Sequence, residues 1–234
     1  MAFCAFLGMP SPLPMLLQEK ATACQKCGEC CRKYFISVLP DELAREAKFF
    51  KLSQEKFIQI YCQLFLQVMP LQQGDHPLAI HTSAVPKKIW EVLQKNGIHS
   101  NYVMLLPMLG FKKKEFCVFF DPKLYLCTMH TVKPAQCSIF PFMAGEKNVD
   151  FSKAYDFCEL ASIASPTNYT HAQADLQKVK MARYFNSVAK EGMEKVWSAL
   201  PKEGIILYQG KSISPITRTE MIELLQLARE KEPQ

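Results

Sequence analysis

The sequence predicts an α+β protein that is mainly α-helical, with short strands and an irregular cysteine-rich metal-binding segment. Apolar residues recur at helical spacing in several segments of the 234-residue chain, which is long enough to bury its own core. Between residues 101 and 158, prolines and cysteines interrupt short apolar runs, which favours strands and turns. The ten cysteines exceed the content of an ordinary intracellular chain and indicate a chemical role.

The first helices are predicted from their start signals and their apolar periodicity. Pro40-Asp41-Glu42 opens a helix toward Phe50, because proline suits a first turn and acidic residues suit the positive end of the helix dipole. Ser53 caps a second helix that runs through Met69. A third short helix covers residues 86–96.

The C-terminal part is also predicted to be helical. Thr170-His-Ala-Gln173 has the pattern of a capping box, and a long apolar stripe of core residues follows it as far as Leu200. A strand from Gly204 to Gln209 comes next. A last helix is opened by the box Thr217-Arg-Thr-Glu220.

These elements predict three parts of the chain. Residues 1–20 form a flexible leader, and residues 21–165 form a cysteine-cluster metal-binding domain with a helical insertion at 40–97. Residues 166–234 form a C-terminal helical segment that packs on the same core.

The leader bears on the compartment of the protein. Met1–Gln18 is apolar and uncharged, but it lacks the basic start of a secretory signal, and its prolines would break a signal helix. Later apolar runs are far shorter than the ~20 residues that span a bilayer. We therefore expect a cytoplasmic protein without a membrane span, in which cysteines are thiolate ligands rather than disulfides; an exported protein is the alternative.

The cysteines fall into two groups along the chain. Cys24-x2-Cys27-Gly28-Glu29-Cys30-Cys31 places four sulfurs within eight residues, and Gly28 permits the tight turn that lets Cys27 and Cys30 converge. Adjacent Cys30 and Cys31 project in different directions, so they suit different ions better than two corners of one tetrahedron. We expect the two groups to meet in space and to hold an iron-sulfur cluster or zinc, in one polynuclear centre or two centres. The predicted ligands are Cys24, Cys27, Cys30, Cys31, Cys117, Cys127, Cys137 and Cys158.

Other polar candidates receive structural interpretations. Cys4 lies in the leader, and Cys62 is predicted to fill core space within the second helix. His130 is not needed as a ligand, since eight thiolates suffice. Asp121 is predicted to form a turn rather than to act as a general base.

The net charge of +6 would suit an acidic partner such as nucleic acid. Eight thiolates with two divalent ions would carry four net negative charges, however, so much of the basic excess balances the predicted cluster. The triad Lys112-Lys113-Lys114 is predicted to be a solvated turn. A nucleic-acid partner is therefore disfavoured.

The ordered cysteines resemble those of the YkgJ-type cysteine-cluster proteins, which are described as zinc- or iron-chelating domains related to the FliB-type flagellin lysine N-methylase. The resemblance spans Cys24 to Cys158 and implies metal binding, together with a protein-modifying activity on a protein substrate or partner. It is carried by Cys24-Gln-Lys-Cys27-Gly28-Glu-Cys30-Cys31, Cys117-Val-Phe-Phe120, Leu126-Cys127, Lys133-Pro134-Ala-Gln-Cys137-Ser138-Ile-Phe140-Pro141-Phe142 and Cys158.

The favoured function is therefore that of a cytoplasmic metal-binding protein whose cluster holds iron-sulfur or zinc. Whether it is an enzyme stays open, because a methylase needs a methyl donor and the nine glycines form no glycine-rich strand-turn-helix fingerprint. Two alternatives remain: a non-catalytic zinc-stabilised interaction module and a nucleic-acid-binding zinc protein.

Overall fold

A computed structural model of the protein describes residues 28–142, 150, 153, 155–158, 160–161 and 168–230. The leader at residues 1–20, with Cys4, lies outside these ranges, and so do Cys24 and Cys27. Within them the chain forms one mixed six-stranded sheet, one two-stranded sheet and a set of helices. The α+β fold class is confirmed.

The sheet is built around two ten-residue strands, which are longer than the sequence predicted. β2 (Cys62–Leu71) pairs antiparallel with β4 (Tyr102–Phe111) along its whole length. On its other side β2 pairs in parallel with β7 (Glu203–Tyr208), which forms a hairpin with β8 (Lys211–Thr217). The far edge of β4 carries β1 (Ser37–Val38) and β3 (Ala79–His81), and the separate hairpin consists of β5 (Phe120–Asp121) and β6 (Leu126–Cys127).

Three helix starts follow the capping patterns in the sequence, whereas the predicted box Thr170-His-Ala-Gln173 is wrong because it lies inside a helix that already includes Asn168. Pro40 is the first helical residue of its helix, and the Ser53 hydroxyl accepts a hydrogen bond from the Lys56 amide, 3.2 Å away. Thr217 and Glu220 form the reciprocal capping box. The described α-helices are α1 (Glu29–Lys33), α2 (Pro40–Phe49), α3 (Gln54–Tyr61), α4 (Lys87–Lys95), α5 (Ala135–Ile139), α6 (Asn168–Glu191), α7 (Met193–Val196) and α8 (Arg218–Arg229).

The second predicted helix is only half helical. It ends at Tyr61, and Cys62 begins the central strand β2, so the prediction of a helix through Met69 is wrong. The helical insertion at 40–97 accordingly contains strands β2 and β3 as well. Cys62 remains a core residue, fully buried at the start of the strand.

The long C-terminal stripe is also shorter and less buried than predicted. Helix α6 ends at Glu191, where Gly192 takes a φ of 90°. Two stripe residues, Leu176 and Val179, are 49% and 46% exposed. The prediction of core residues is therefore confirmed for Val188 and Met193, which are buried, but it is wrong for Leu176 and Val179.

Helices cover both faces of strand β2. Leu64 and Leu66 of β2 belong to the main core, which also contains buried residues of α2, α4 and α8. Phe65, on the opposite face, clusters with Met181 and Phe185 of α6. Both faces of β2 are therefore buried, which is possible because helices lie on each side.

Among the described residues, none of the helices combines the length and apolarity required to cross a bilayer.

Candidate metal centre

The N-terminal cysteine motif enters the described structure at Gly28, directly against the β5–β6 hairpin. Gly28 has a φ of 66°, and a Cβ atom at this position would overlap the ring of Phe120. Only glycine fits both the backbone conformation and this close approach. The contact places α1, with Cys30 and Cys31, beside the second cysteine group.

Backbone hydrogen bonds join the two groups. The amide of Cys117 donates to the carbonyl oxygen of Cys31 at 2.9 Å, across the 85 residues that separate them in the sequence. The Sγ atoms of Cys30 and Cys31 are 4.0 Å apart. Strand β6 brings Cys127 to the same hairpin, where it pairs with Phe120.

The turn of this hairpin is formed as predicted. The Asp121 carboxylate accepts hydrogen bonds from the amides of Lys123 and Leu124, at 2.8 and 3.2 Å. This is the local side-chain-to-backbone bonding that favours aspartate in turns.

Cys137 lies on the five-residue helix α5, which polar side chains hold in place. The Gln136 side-chain oxygen accepts from the amide and the hydroxyl of Ser37, at 2.8 and 2.7 Å, so α5 is attached to edge strand β1. The Glu42 carboxylate accepts from the amide of Ala135 at 2.6 Å.

The thiols interact electrostatically with one another. Burial raises the pKa of the Cys137 thiol well above its usual value, and the neighbouring Cys117, Cys30 and Cys127 raise it further. Burial likewise raises the pKa of Cys117 to about 12, and Cys127 and Cys30 add to the effect. The structure therefore brings Cys30, Cys117, Cys127 and Cys137 into one neighbourhood.

The three lysines of the predicted solvated triad have different surroundings. The Lys112 ammonium donates to the carbonyl oxygens of Gln59 and Ile60 at the end of α3, both at 2.8 Å. Lys113 lies 4.6 Å from the ring centroid of Phe35, and burial lowers its pKa while Cys117 and Cys31 oppose that shift. Lys114 is exposed, whereas Lys112 and Lys113 are half-buried.

Cys158 lies in an adjoining aromatic cluster, formed by Tyr34, Phe140, Tyr155 and Phe157. All pairs of these rings have centroid distances between 5.0 and 6.4 Å. Cys158 is buried here, and Cys30 packs against the same residues. Burial raises the pKa of Tyr34, and Cys30 and Cys158 contribute to the rise, so one tyrosine lies near a cysteine of each group.

The described residues by themselves do not form a complete ligand set. Within the ranges that the structure covers, no three His, Cys, Asp or Glu side chains are arranged to hold a metal ion. Cys24 and Cys27 lie outside those ranges. Cys62 lies at the start of β2, where burial is the main cause of its raised pKa and Cys117 is a smaller one.

Sequence reasoning missed the residues that anchor the cysteines. The sequence indicated only that the charge of Glu42 suits the start of its own helix, yet its carboxylate also accepts a hydrogen bond from the Ala135 amide of α5. Buried Leu43 and Ala47 place Glu42 and Glu46 on the apolar face of α2, where both are buried. Two carboxylates at i and i+4 on an apolar face are a signal that could have identified them.

Fold and site together define a class of protein: an α+β cysteine-cluster protein in which thiols from two distant segments gather beside a mixed sheet. A family model agrees with this class. The CxxCxxCC family, described as a "putative zinc- or iron-chelating domain", matches residues 23–159, which is more than half of the chain. The chain belongs to this family, so the cysteine-cluster resemblance is confirmed, as is a metal cofactor at that general level. No curated protein and no solved structure matches the chain.

Proposed function

We propose that the protein is a cytoplasmic metalloprotein that holds zinc or an iron-sulfur cluster through eight cysteines. The observation that carries the proposal is the hydrogen bond from the Cys117 amide to the Cys31 carbonyl oxygen at 2.9 Å, which joins the two cysteine groups. The pairing of Cys127 with Phe120 brings a further cysteine to the same hairpin. The proposed ligands are Cys24, Cys27, Cys30, Cys31, Cys117, Cys127, Cys137 and Cys158.

The chemistry of the gathered thiols suits a soft metal. Burial raises the pKa of Cys117 and Cys137, which favours the protonated thiol in the metal-free protein. Zinc or iron favours the thiolate, releases the proton and neutralises part of the charge. The Lys113 ammonium, near Cys117 and Cys31, offsets negative charge that remains on the centre.

The cysteine motif supports the proposed compartment. Cysteines spaced by two residues, as at Cys24 and Cys27, are typical of metal ligands. Thiolate ligands persist in a reducing compartment, whereas an oxidising one favours disulfides. A cytoplasmic location follows as part of the proposal.

The metal is tested by anaerobic purification of the full chain, followed by elemental analysis and a visible absorption spectrum. Charge-transfer absorption with stoichiometric iron would support an iron-sulfur cluster. A colourless protein with stoichiometric zinc would support the zinc-stabilised module. A protein that takes up neither metal would overturn the proposal.

The ligand set is tested by a matched pair of variants, Cys137→Ala and Cys62→Ala. We expect Cys137→Ala to lose metal. We expect Cys62→Ala to keep its full metal content and to lose about 1 kcal/mol of stability from packing, because this thiol only fills space in the core. Full metal occupancy in Cys137→Ala, or loss of metal in Cys62→Ala, would contradict the division into ligands and bystanders.

A further inference from the structure

The carboxylate of Glu42 joins two helices through hydrogen bonds. Glu42 is only 4% exposed. Its Oε2 atom accepts from the amide of Leu39 at 3.1 Å, at the start of its own helix α2. Its Oε1 atom accepts from the amide of Ala135 at 2.6 Å, at the start of α5. One side chain thus bonds the backbone amides at the starts of two helices and ties α5 to α2.

Helix α5 depends on such links for its orientation. It contains five residues, Ala135–Ile139, and so short a helix is not stable by itself. Glu42 holds its first residue and the Ser37–Gln136 bonds hold its second. The third residue is Cys137, which follows the two anchored positions directly.

One turn further along α2, Glu46 offers a contrast within the same helix. It is 0% exposed, and neither of its carboxylate oxygens has a hydrogen-bond partner within the described residues. Glu42 and Glu46 thus share a helix, a side-chain type and deep burial. Only Glu42 reaches the cysteine-bearing helix.

We propose that Glu42 is a positioning residue for Cys137: its hydrogen bond to the Ala135 amide fixes α5 so that the Cys137 thiolate is presented to the metal. This role rests on the proposed function, in which Cys137 is a ligand. Groups that orient metal ligands through hydrogen bonds commonly affect metal affinity 10- to 100-fold.

Two variants remove the link in different ways. Glu42→Gln keeps the size of the side chain but replaces one acceptor oxygen by an NH₂ donor. The single remaining oxygen cannot replace both acceptors, so one of the two amides loses its bond. Ala135→Pro removes the amide hydrogen of residue 135, which donates to Glu42, and leaves the hydrogen bond from the Leu39 amide to Glu42 in place. Proline suits the first residue of a helix, and Pro134 already has an extended ψ of 160°, as a residue before proline requires. Glu46→Gln is the matched control.

The experiment measures two quantities for the wild type and the three variants. The first is the rate at which Co²⁺-loaded protein releases its metal to a chelator, followed by the thiolate-to-cobalt absorption band. The second is the rate at which iodoacetamide alkylates Cys137 in the metal-free protein, mapped by mass spectrometry. We expect Glu42→Gln and Ala135→Pro to release Co²⁺ about 10- to 100-fold faster, with a shifted band and faster alkylation. We expect Glu46→Gln to match the wild type.

Wild-type release, spectrum and alkylation in both link variants would overturn the positioning role. So would an effect in Glu42→Gln alone, because Glu42 would then serve only to cap α2. If the wild type binds no Co²⁺ through thiolates, the proposed function fails by itself, and the alkylation rates still decide whether Glu42 positions Cys137.

Discussion

The sheet and the cysteine-rich segment, residues 113–142, are held together by different kinds of interaction. Strands β2 and β4 share ten residue pairs, and their apolar side chains are buried on both faces. The cysteine-rich segment consists of two-residue strands and a five-residue helix, fixed by polar contacts from Glu42, Gln136 and Asp121. Apolar burial therefore accounts for the sheet, whereas the cysteine-rich segment combines polar anchors with the apolar contacts of Phe119 and Met129 in the main core.

Helix α2 is the junction between the two regions. Its Leu43 lies in the main core. Its Glu42 holds α5, and the Arg45 guanidinium lies 3.4 and 3.3 Å from the carbonyl oxygens of Val132 and Lys133. We therefore expect the cysteine-rich segment to lose order before the sheet does, provided that α2 stays in place.

Removal of the metal is expected to have the largest effect and to separate the two regions. Structural zinc contributes roughly 10 kcal/mol or more to the folding of small metal domains, so amides in residues 113–142 should lose most of their protection from hydrogen exchange. Amides of β2, β4 and α6 should keep theirs, because apolar burial holds them. Hydrogen exchange with and without a chelator, read by mass spectrometry, measures both regions in one sample.

An equal loss of protection in both regions would contradict the expected difference in stability between them. It would mean that the metal and the sheet belong to one cooperative unit.

The next effect concerns Glu46, which lies in the core without a hydrogen bond. Burial, with the charge of Glu42 as a second cause, raises its pKa from 4.5 to about 8. Below about pH 4.5 the carboxyl is protonated in the folded and unfolded chains alike. Between there and about pH 8 the unfolded chain loses the proton while the folded chain keeps it. The free energy of unfolding should therefore fall by about 1.4 kcal/mol per pH unit, about 5 kcal/mol in total, and stay level above pH 8.

The measurement is the difference in unfolding free energy between Glu46→Gln and the wild type, from urea titrations at several pH values. Since glutamine does not titrate, this difference should grow in favour of the variant from pH 4.5 to pH 8. Glu91→Gln, at an exposed position on α4, is the control and should show no such growth. Parallel curves for Glu46→Gln and the wild type would show that the Arg45 guanidinium, 3.9 Å from Glu46 Oε1, or a bound water keeps this carboxyl ionised in the folded protein.

The smallest effect is expected at the start of α8, within the sheet region. The Thr217 hydroxyl accepts from the Glu220 amide at 3.2 Å, and the Glu220 carboxylate accepts from the Thr217 amide at 2.8 Å. Thr217→Ala removes one half of this capping box and should cost about 1 kcal/mol of stability, with the metal content unchanged. Urea unfolding and metal analysis check the two statements. The control is Thr219→Ala, at an exposed position two residues further on, which should stay within about 0.5 kcal/mol of the wild type. A drop in the metal content of Thr217→Ala would contradict the separation of the two regions.

The sequence allowed the helix starts to be predicted because their signals are local. Pro40, Ser53 and the Thr217 box all lie where the patterns place them. Strand β2 was missed because its apolar residues fit a helical period as well as an alternating one. Phe65 points away from Leu64 and Leu66, yet all three are buried, so the usual alternation of apolar and polar residues is absent. The parallel partner β7 lies about 140 residues away and leaves no local pattern.

The sequence indicated the candidate cysteines, but it did not indicate the residues that hold them in place. Cysteines can be identified as candidate ligands from their chemistry and spacing. The proximity of Cys30 to Cys117, Cys127 and Cys137 was therefore expected from the number of ligands that a metal site needs. Glu42 and Gln136 could not be found in the same way. Their roles depend on contacts 93 and 99 residues away, which only the folded chain reveals.

The parallel pairing of β2 with β7 sets an order of events during synthesis. β2 leaves the ribosome early, but its second neighbour, residues 203–208, follows only after the whole cysteine-rich segment has been made. Until then one edge of the central strand is unpaired, and the thiols are already outside the exit tunnel. The nascent chain must therefore keep its cysteines reduced and its strand edge shielded for several seconds, at ordinary rates of about 5–20 residues per second. In that interval a chaperone would shield the strand edge, and early metal loading would protect the thiols.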